Sequence, residues 1–315
     1  LELTDCGFDY SVLSAFRDRV IAGGMEKRLL DDMLARFKDL GLIKARGRQR
    51  TDSTHVLAAV RKLNRLECVG ETMRCALNDL ATVAPEWLLE QVTPDWFDLY
   101  GRRFEQYRLP KERAGRQELA ERIGIDGHQL LASIYAAETP RWLREIPSVQ
   151  ILRQVWVQQY QVQDDQVRWR AAEDLPPNKL LIVSPYDSEA RNRTKRSLNW
   201  TGYVAHLSEA CDEDMPHLIT NVETTPATTG DVEVTDIIHA ALAEKGFLPS
   251  EHFVDTAYID AELLVTSSVD HGIDLYGPVR SDSSWLAKAG QGFAIRCFAI
   301  DWEEEDVICP AGQTS

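Results

Sequence analysis

No stretch of this sequence is apolar for the roughly 20 residues that a bilayer-crossing helix needs, so a membrane-spanning chain is not expected. Its first residues, LELTDCGFDY, lack both a Met and the basic-then-apolar pattern of a secretory signal; they read as a chain entered partway through. The six cysteines, Cys6, Cys68, Cys75, Cys211, Cys297 and Cys309, lie far apart without a Cys-x-x-Cys pair. Neither a disulfide framework nor a closed zinc site follows from that spacing, and the reducing cytoplasm is the expected compartment. Positive charge is scarce too. With 35 Lys and Arg against 50 Asp and Glu, the net charge of −15 excludes a protein that coats nucleic acid nonspecifically and makes any such contact local.

What is present is enough apolar material, 44% of 315 residues, for one large or two ordinary domains. The charge balance reverses in one place. Between residues 36 and 65 the cations Arg36, Lys38, Lys44, Arg46, Arg48, Arg50, Arg61, Lys62 and Arg65 face only Asp39, Asp52 and no Glu. Such a reversal suits a surface that meets phosphates; a solvated face paired with acids elsewhere is the plainer alternative. Asp52 stands at its centre, in the polar, β-branched run RTDSTHV (50–56), which favours a short strand. An Asp capping a helix that starts near His55 is the competing reading. A second short strand, EHFVD (251–255), also ends in an Asp. If the two strands lie parallel and adjacent, Asp52 and Asp255 converge at one sheet edge, where a divalent cation can bridge them.

In chain order, Leu13, Phe16 and Val20 mark a helix over 9–21 with Asp9 as its cap. Leu29, Leu30, Met33, Leu34 and Phe37 mark a second over 25–40, closed by Gly41. This pair reads as packing or as a DNA-reading hairpin. From His55 to about Tyr160 the pattern is helical, broken at Pro85, Pro94, Pro110, Pro140 and Pro147, with aromatic residues at core-like spacing. Residues 161–178 read as a polar connection ending in Pro176-Pro177.

The period then shortens toward two. A strand is expected over 179–183, followed by a loop, SPYDSEARNRTKRS, whose Arg191, Arg193, Lys195 and Arg196 form a second phosphate-contact candidate. A hairpin over 201–209 and 217–223, a helix over 234–245 closed by Gly246, the EHFVD strand, a helix over 260–269 and a strand over 273–279 follow. The expected organisation is a helical segment at 1–44, a first strand at 45–58, a helical insertion at 59–178, the remaining core at 179–280 and a further insertion at 281–315. That order of elements is the one expected of an α/β, ribonuclease-H-like mixed sheet.

Three blocks, RGRQRTDSTHVLAAVRKLNRLE (46–67), YDSEARNRTKRSLNWTGYVAHLSEACDEDMPHLITNVETTPATT (186–229) and EHFVDTAYIDAELL (251–264), resemble bacterial insertion-sequence transposases of the DDE type. The resemblance implies a ribonuclease-H-like catalytic core with Asp52 as first and Asp255 as second catalytic acid and metal ligand. It also implies that residues 1–44 are the tail of an N-terminal helical domain and that Cys309-Pro310 opens a Cys-containing insertion. Similar sequences have Gly and a basic residue where this chain has Ala257 and Val204. The family's third acid, a Glu on a helix beyond that insertion, has no counterpart before Ser315, and Glu262 and Glu303 to Glu305 are outside its motif context. The chain is therefore expected to be inactive by itself.

The chemistry so implied is transposition of a mobile element. Mg²⁺, or Mn²⁺ in its place, would be held by the two carboxylates, because hard cations prefer oxygen ligands. Duplex DNA, both transposon ends and target, is the implied partner; a homodimer is left open. The candidate DNA contacts are Arg46, Arg48, Arg50, Arg61, Lys62, Arg191, Arg193, Lys195 and Arg196. His55, His206 and His252 lack metal-ligand spacing and read as structural. The alternatives are a non-catalytic, DNA-binding or self-associating remnant of such an enzyme, and a stand-alone two-carboxylate nuclease.

Overall fold

The computed structural model describes residues 7, 9–195, 197–278, 285–290, 293–294, 297–304 and 306–314. The chain is a mixed α/β protein that divides into two units. One comprises Leu1–Asp52, Ser208–Thr220 and Gly230–Ser315; the other comprises Ser53–Leu207 and Asn221–Thr229. Three strands, β1 (Arg48–Leu57), β5 (Leu198–Ala210) and β6 (Ile219–Pro226), each contribute one end to each unit. No helix among the described residues is long and apolar enough to cross a membrane.

In the first unit, α1 (Tyr10–Ala22) starts where the Asp9 carboxylate accepts the Ser11 N–H. The following helix, α2 (Glu26–Asp39), stops where Gly41 takes a left-handed φ of +68°, which glycine adopts without steric cost. Only one side of the α2 stripe is covered. Leu34 is buried, Leu30 and Phe37 pack against the core, and Leu29 and Met33 stay exposed. That core gathers Leu34, Ile43, Ile238, Leu242, Tyr258 and Leu275. Around it lie α8 (Thr235–Lys245), closed by Gly246 at φ +70°, and α9 (Ala261–His271), capped by Asp260. Between and after these come β7 (Glu251–Val254) and β8 (Asp274–Tyr276). The strand β7 pairs in parallel with both β1 and β8. Val279, expected inside the last strand, lies outside the described residues. The segment near the end carries α10 (Trp285–Lys288) and an antiparallel pair, β9 (Ala299–Asp301) with β10 (Asp306–Ile308).

The second unit is built on α3 (Arg65–Val83), α4 (Pro85–Gln91), α5 (Pro94–Tyr100), α6 (Arg113–Ile134) and α7 (Pro147–Gln159). Its core includes Met73, Leu80, Ile123, Leu130, Leu152 and Trp156. Of the aromatic residues expected in the core, Trp96, Tyr100, Phe104 and Trp156 are buried and Trp87 packs against them, whereas Phe97, Tyr107, Tyr135 and Trp142 are exposed. Gly124 and Gly127 in the middle of α6 cost helix stability, but they let Tyr160 and Trp156 lie against the helix; a Cβ at either would overlap the ring. The Trp156 indole N–H and the Tyr160 hydroxyl then donate to the Gly124 and Ala120 carbonyls at 3.0 and 2.9 Å.

Four expectations are corrected here. The helix expected from His55 is strand as far as Leu57, and α3 begins only at Arg65, where Asn64 and Glu67 form a reciprocal capping box. Residues 161–178 are not a plain connection. They hold most of a hairpin, β2 (Tyr160–Gln163) and β3 (Gln166–Trp169), turned by Asp164 and Asp165 at φ +50° and +57°. Residues 179–183 are turn and irregular backbone because the Gln158 amide takes the place of a strand partner. Its Nε2 donates to Leu180 O at 2.9 Å and its Oε1 accepts from Ile182 N at 3.0 Å. The basic part of the expected loop is a strand, β4 (Arg191–Lys195), antiparallel to β5.

The hairpin of β5 and β6 was expected, and it runs longer, with Thr224 to Pro226 inside β6. Its bonds, Ala210 N to Leu218 O at 2.9 Å and Ala227 N to Gly202 O at 3.1 Å, mark it as antiparallel. Strand pairing in the main sheet follows the order β4-β5-β1-β7-β8, with β6 also on β5.

Candidate carboxylate site

The alternation of β1 sorts its residues into two faces. Gln49 and Thr51 are buried, while Arg48, Arg50 and Asp52 are exposed. On β7 the buried pair is His252 and Val254, and Glu251 and Phe253 take the other face; Asp255, directly after the strand, is exposed. The register aligns Arg48 with Glu251, Gln49 with His252, Arg50 with Phe253 and Thr51 with Val254. Asp52 is the next residue of β1, and Asp255 is the first residue after β7. Both are exposed and follow the last aligned pair of two parallel strands, which in a sheet lie about 4.8 Å apart.

That face is ordered by charge. Arg48 pairs with Glu251 at 2.7 Å and Arg50 with Glu209 at 2.7 Å, so both flanking acids are balanced by an arginine. Phe253 stacks on Tyr276 with ring centroids 5.2 Å apart and an interplanar angle of 17°. The Asp255 carboxylate accepts the Ala257 N–H at 2.8 Å, and the Asp255 carbonyl accepts from Tyr258 N at 3.1 Å. Tyr258 is fully buried and its own carbonyl accepts from Thr235 Oγ1 at 2.7 Å, which fixes the turn. Ala257 is not among the residues with positive φ, so its position in the turn does not require glycine.

Behind the two acids runs a buried polar network. Thr51 Oγ1 lies 2.8 Å from Ser208 Oγ and 2.7 Å from His252 Nε2, and His252 Nδ1 lies 2.8 Å from His239 Nε2. Among the described residues His239 Nδ1 has no hydrogen-bond partner. A bare lone pair there costs less than an unpaired N–H, which sets the tautomers: His239 donates from Nε2 to His252, and His252 donates from Nε2 to Thr51. Desolvation holds both histidines below their ordinary pKa, so both stay neutral. Gln49 joins in through Phe247 O and Thr220 Oγ1, each at 2.7 Å. The network locks the backbone under Asp52.

His252 is thus structural, as expected. So is His206, buried against Thr225 at 3.1 Å; His55 is exposed, with its ring 5.6 Å from that of Trp200. Val204 is a buried neighbour of Trp200 and Ala227, a packing position.

The candidate DNA contacts fall into two groups. Arg48, Arg50 and Arg61 are neutralised by Glu251, Glu209 and Glu67. Arg46, Lys62, Arg191 and Arg193 instead bond uncharged groups, with no ion pair among the described residues. Arg46 donates to the His271 and Gly272 carbonyls at the end of α9, and Lys62 to Asn199 Oδ1 at 2.9 Å. Arg191 donates to the carbonyls of Lys179, Ser188 and Ala190, and Arg193 to those of Ala227 and Thr229. Lys195 is exposed, and Arg196 lies outside the described residues.

Glu262 is exposed in the first turn of α9, Glu303 and Glu304 lie in the turn between β9 and β10, and Glu305 lies outside the described residues. Among the described residues no group of three or more His, Cys, Asp or Glu side chains is assembled around a common point for a metal. A pair of exposed carboxylates nonetheless fits Mg²⁺, which keeps several waters and takes one or two carboxylates together with substrate phosphate oxygens. No protein-family model, curated protein or solved structure matches this chain.

Proposed function

We propose that this chain is catalytic machinery of a DNA transposase of the DDE type, which cuts a phosphodiester at a transposon end and joins the freed 3′ hydroxyl to target DNA. The observation that carries the reading is the parallel pairing of β1 with β7, whose last aligned pair, Thr51–Val254, immediately precedes Asp52 and Asp255. The strand order supports a ribonuclease-H-like sheet: an antiparallel hairpin of β5 and β6 flanks β1 on one side, and the parallel β7 and β8 flank it on the other. The helices between β1 and β5 are then an insertion into that sheet. The three sequence blocks at 46–67, 186–229 and 251–264 support the same family.

Asp52 and Asp255 would hold Mg²⁺ or Mn²⁺, whose chemistry is to activate the attacking oxygen and stabilise the leaving one. The chain's own part is placement. The Thr51–His252 bond fixes the two strands against each other, the Ala257 N–H fixes one Asp255 oxygen, and the Arg–Glu pairs hold the flanking acids. Position matters because an error of about 1 Å can cost about a hundredfold in rate.

The test is joining of a plasmid bearing the element's own ends by the gene product that contains this chain, in Mg²⁺. Strand-transfer product that disappears on Asp52→Ala or Asp255→Ala supports the reading; product unchanged by both substitutions contradicts it. Nicking without joining, dependent on both acids, would instead favour a two-carboxylate nuclease.

A further inference from the structure

A cleft of about 560 Å³ opens on the helical unit, bordered by the starts of α3 and α6 and by the end of β3. Arg65, Arg113, Arg116 and Arg170 line it, against a single carboxylate, Glu173. Four positive groups against one negative is a strong local reversal in a chain of net charge −15.

The partners of these arginines are uncharged. Arg65 donates to the Gln159 side chain and lies 3.8 Å over the Trp169 ring. Arg116 donates to Pro110 O at 2.8 Å and Arg170 to Tyr160 O at 3.0 Å. None of the four makes an ion pair among the described residues. A half-buried guanidinium without an anion bears a desolvation cost that an incoming anion would relieve, and burial pushes the Arg65 pKa down. The first turn of α6 adds to this. It carries Arg113 directly after the N-cap Glu112, at the helix end where a cation is disfavoured.

We propose that this cleft binds adjacent phosphate groups of a nucleic-acid backbone. The guanidinium groups of Arg65, Arg116 and Arg170 are held in place by carbonyl and amide oxygens, which leaves their remaining N–H groups, with those of the exposed Arg113, for phosphate oxygens. Trp169 is covered by Arg65 on one face and meets Tyr160 edge-on at 5.0 Å, so the cleft offers phosphate recognition and no open ring for a base. The phosphate chemistry stands apart from the carboxylate site; nucleic acid as its source rests on the transposase reading.

The experiment measures binding of labelled single-stranded and duplex DNA by the full chain across a salt series, with inorganic tripolyphosphate as competitor. The variants are Arg113→Glu with Arg116→Glu, Arg113→Glu alone, and both arginines→Lys. Tripolyphosphate should displace the DNA. The double Glu variant should bind at least about tenfold more weakly with a log–log salt slope lower by about two, Arg113→Glu should lower it by about one, and the Lys variant should keep the slope. A slope unchanged by either Glu variant overturns the proposal even if Asp52→Ala abolishes joining. Tripolyphosphate binding that the double Glu variant loses, with DNA binding unaffected, overturns the nucleic-acid source and leaves free polyphosphate as the ligand.

Discussion

Thr51, the residue before Asp52, is joined through Oγ1 to His252 Nε2 at 2.7 Å, so the two strands that carry the candidate acids are tied by buried side chains as well as by their ladder. Thr51→Val keeps the shape and removes the hydroxyl, leaving polar atoms of His252 and Ser208 short of a partner in the core. We expect a loss of about 1–3 kcal/mol in urea unfolding. No loss would mean that the tie is incidental.

The same network predicts a pH dependence. Burial lowers the pKa of His239 to about 4 and of His252 to about 3, against about 6.5 in an unfolded chain. Between those values the unfolded chain binds the protons and the folded chain does not. This stability is therefore fully present above about pH 6.5 and lost as pH falls toward 4 and 3, at about 1.4 kcal/mol per pH unit for each histidine. Unfolding at pH 7.5 and 5.0 should show a smaller difference for His252→Gln than for the unaltered chain. Equal differences would contradict neutral burial.

Packing in the helical unit gives a prediction opposite to helix propensity. Gly127→Ala improves the intrinsic preference of α6 by about 0.8–1 kcal/mol, yet its methyl overlaps the Trp156 ring. A net loss of about 1–3 kcal/mol in thermal or urea unfolding is expected. A stabilised variant would show that Trp156 does not lie against the helix.

Arg193 and Lys195 stand on one strand but serve different ends. The Arg193 guanidinium donates to the Ala227 and Thr229 carbonyls and lies 5.9 Å from the Trp200 ring centroid, whereas Lys195 is exposed. Arg193→Ala should cost about 1–2 kcal/mol of stability and Lys195→Ala under about 0.5 kcal/mol. Equal effects in urea titrations would remove the distinction.

Much of this was legible where local chemistry decides. Asp9 and Gly246 mark helix ends, and the β-branched run around Asp52 and the short run before Asp255 mark the two strands. Elsewhere the deciding partner is distant in sequence. Gln158 bonds the backbone of 180–182, so an apolar run that reads as a strand is held without one. The Asp164-Asp165 pair between Tyr-Gln-Val-Gln and Gln-Val-Arg-Trp was a usable turn signal for the β2–β3 hairpin. The arginine cleft has no such signal, because Arg65, Arg113 and Arg170 come together only through the packing of the helical unit. Among the basic residues that do cluster in sequence, Arg48, Arg50 and Arg61 are paired with acids.

The central claim is that Asp52 and Asp255 hold the same divalent ion, and Mn²⁺ titration followed by electron paramagnetic resonance tests it most directly. The unaltered chain should bind Mn²⁺, Asp52→Ala and Asp255→Ala should each weaken that binding by at least about tenfold, and the double variant should lose little more than either single one, as expected for ligands acting as a unit. Binding that survives both single substitutions unchanged, or losses that simply add, would contradict a shared site.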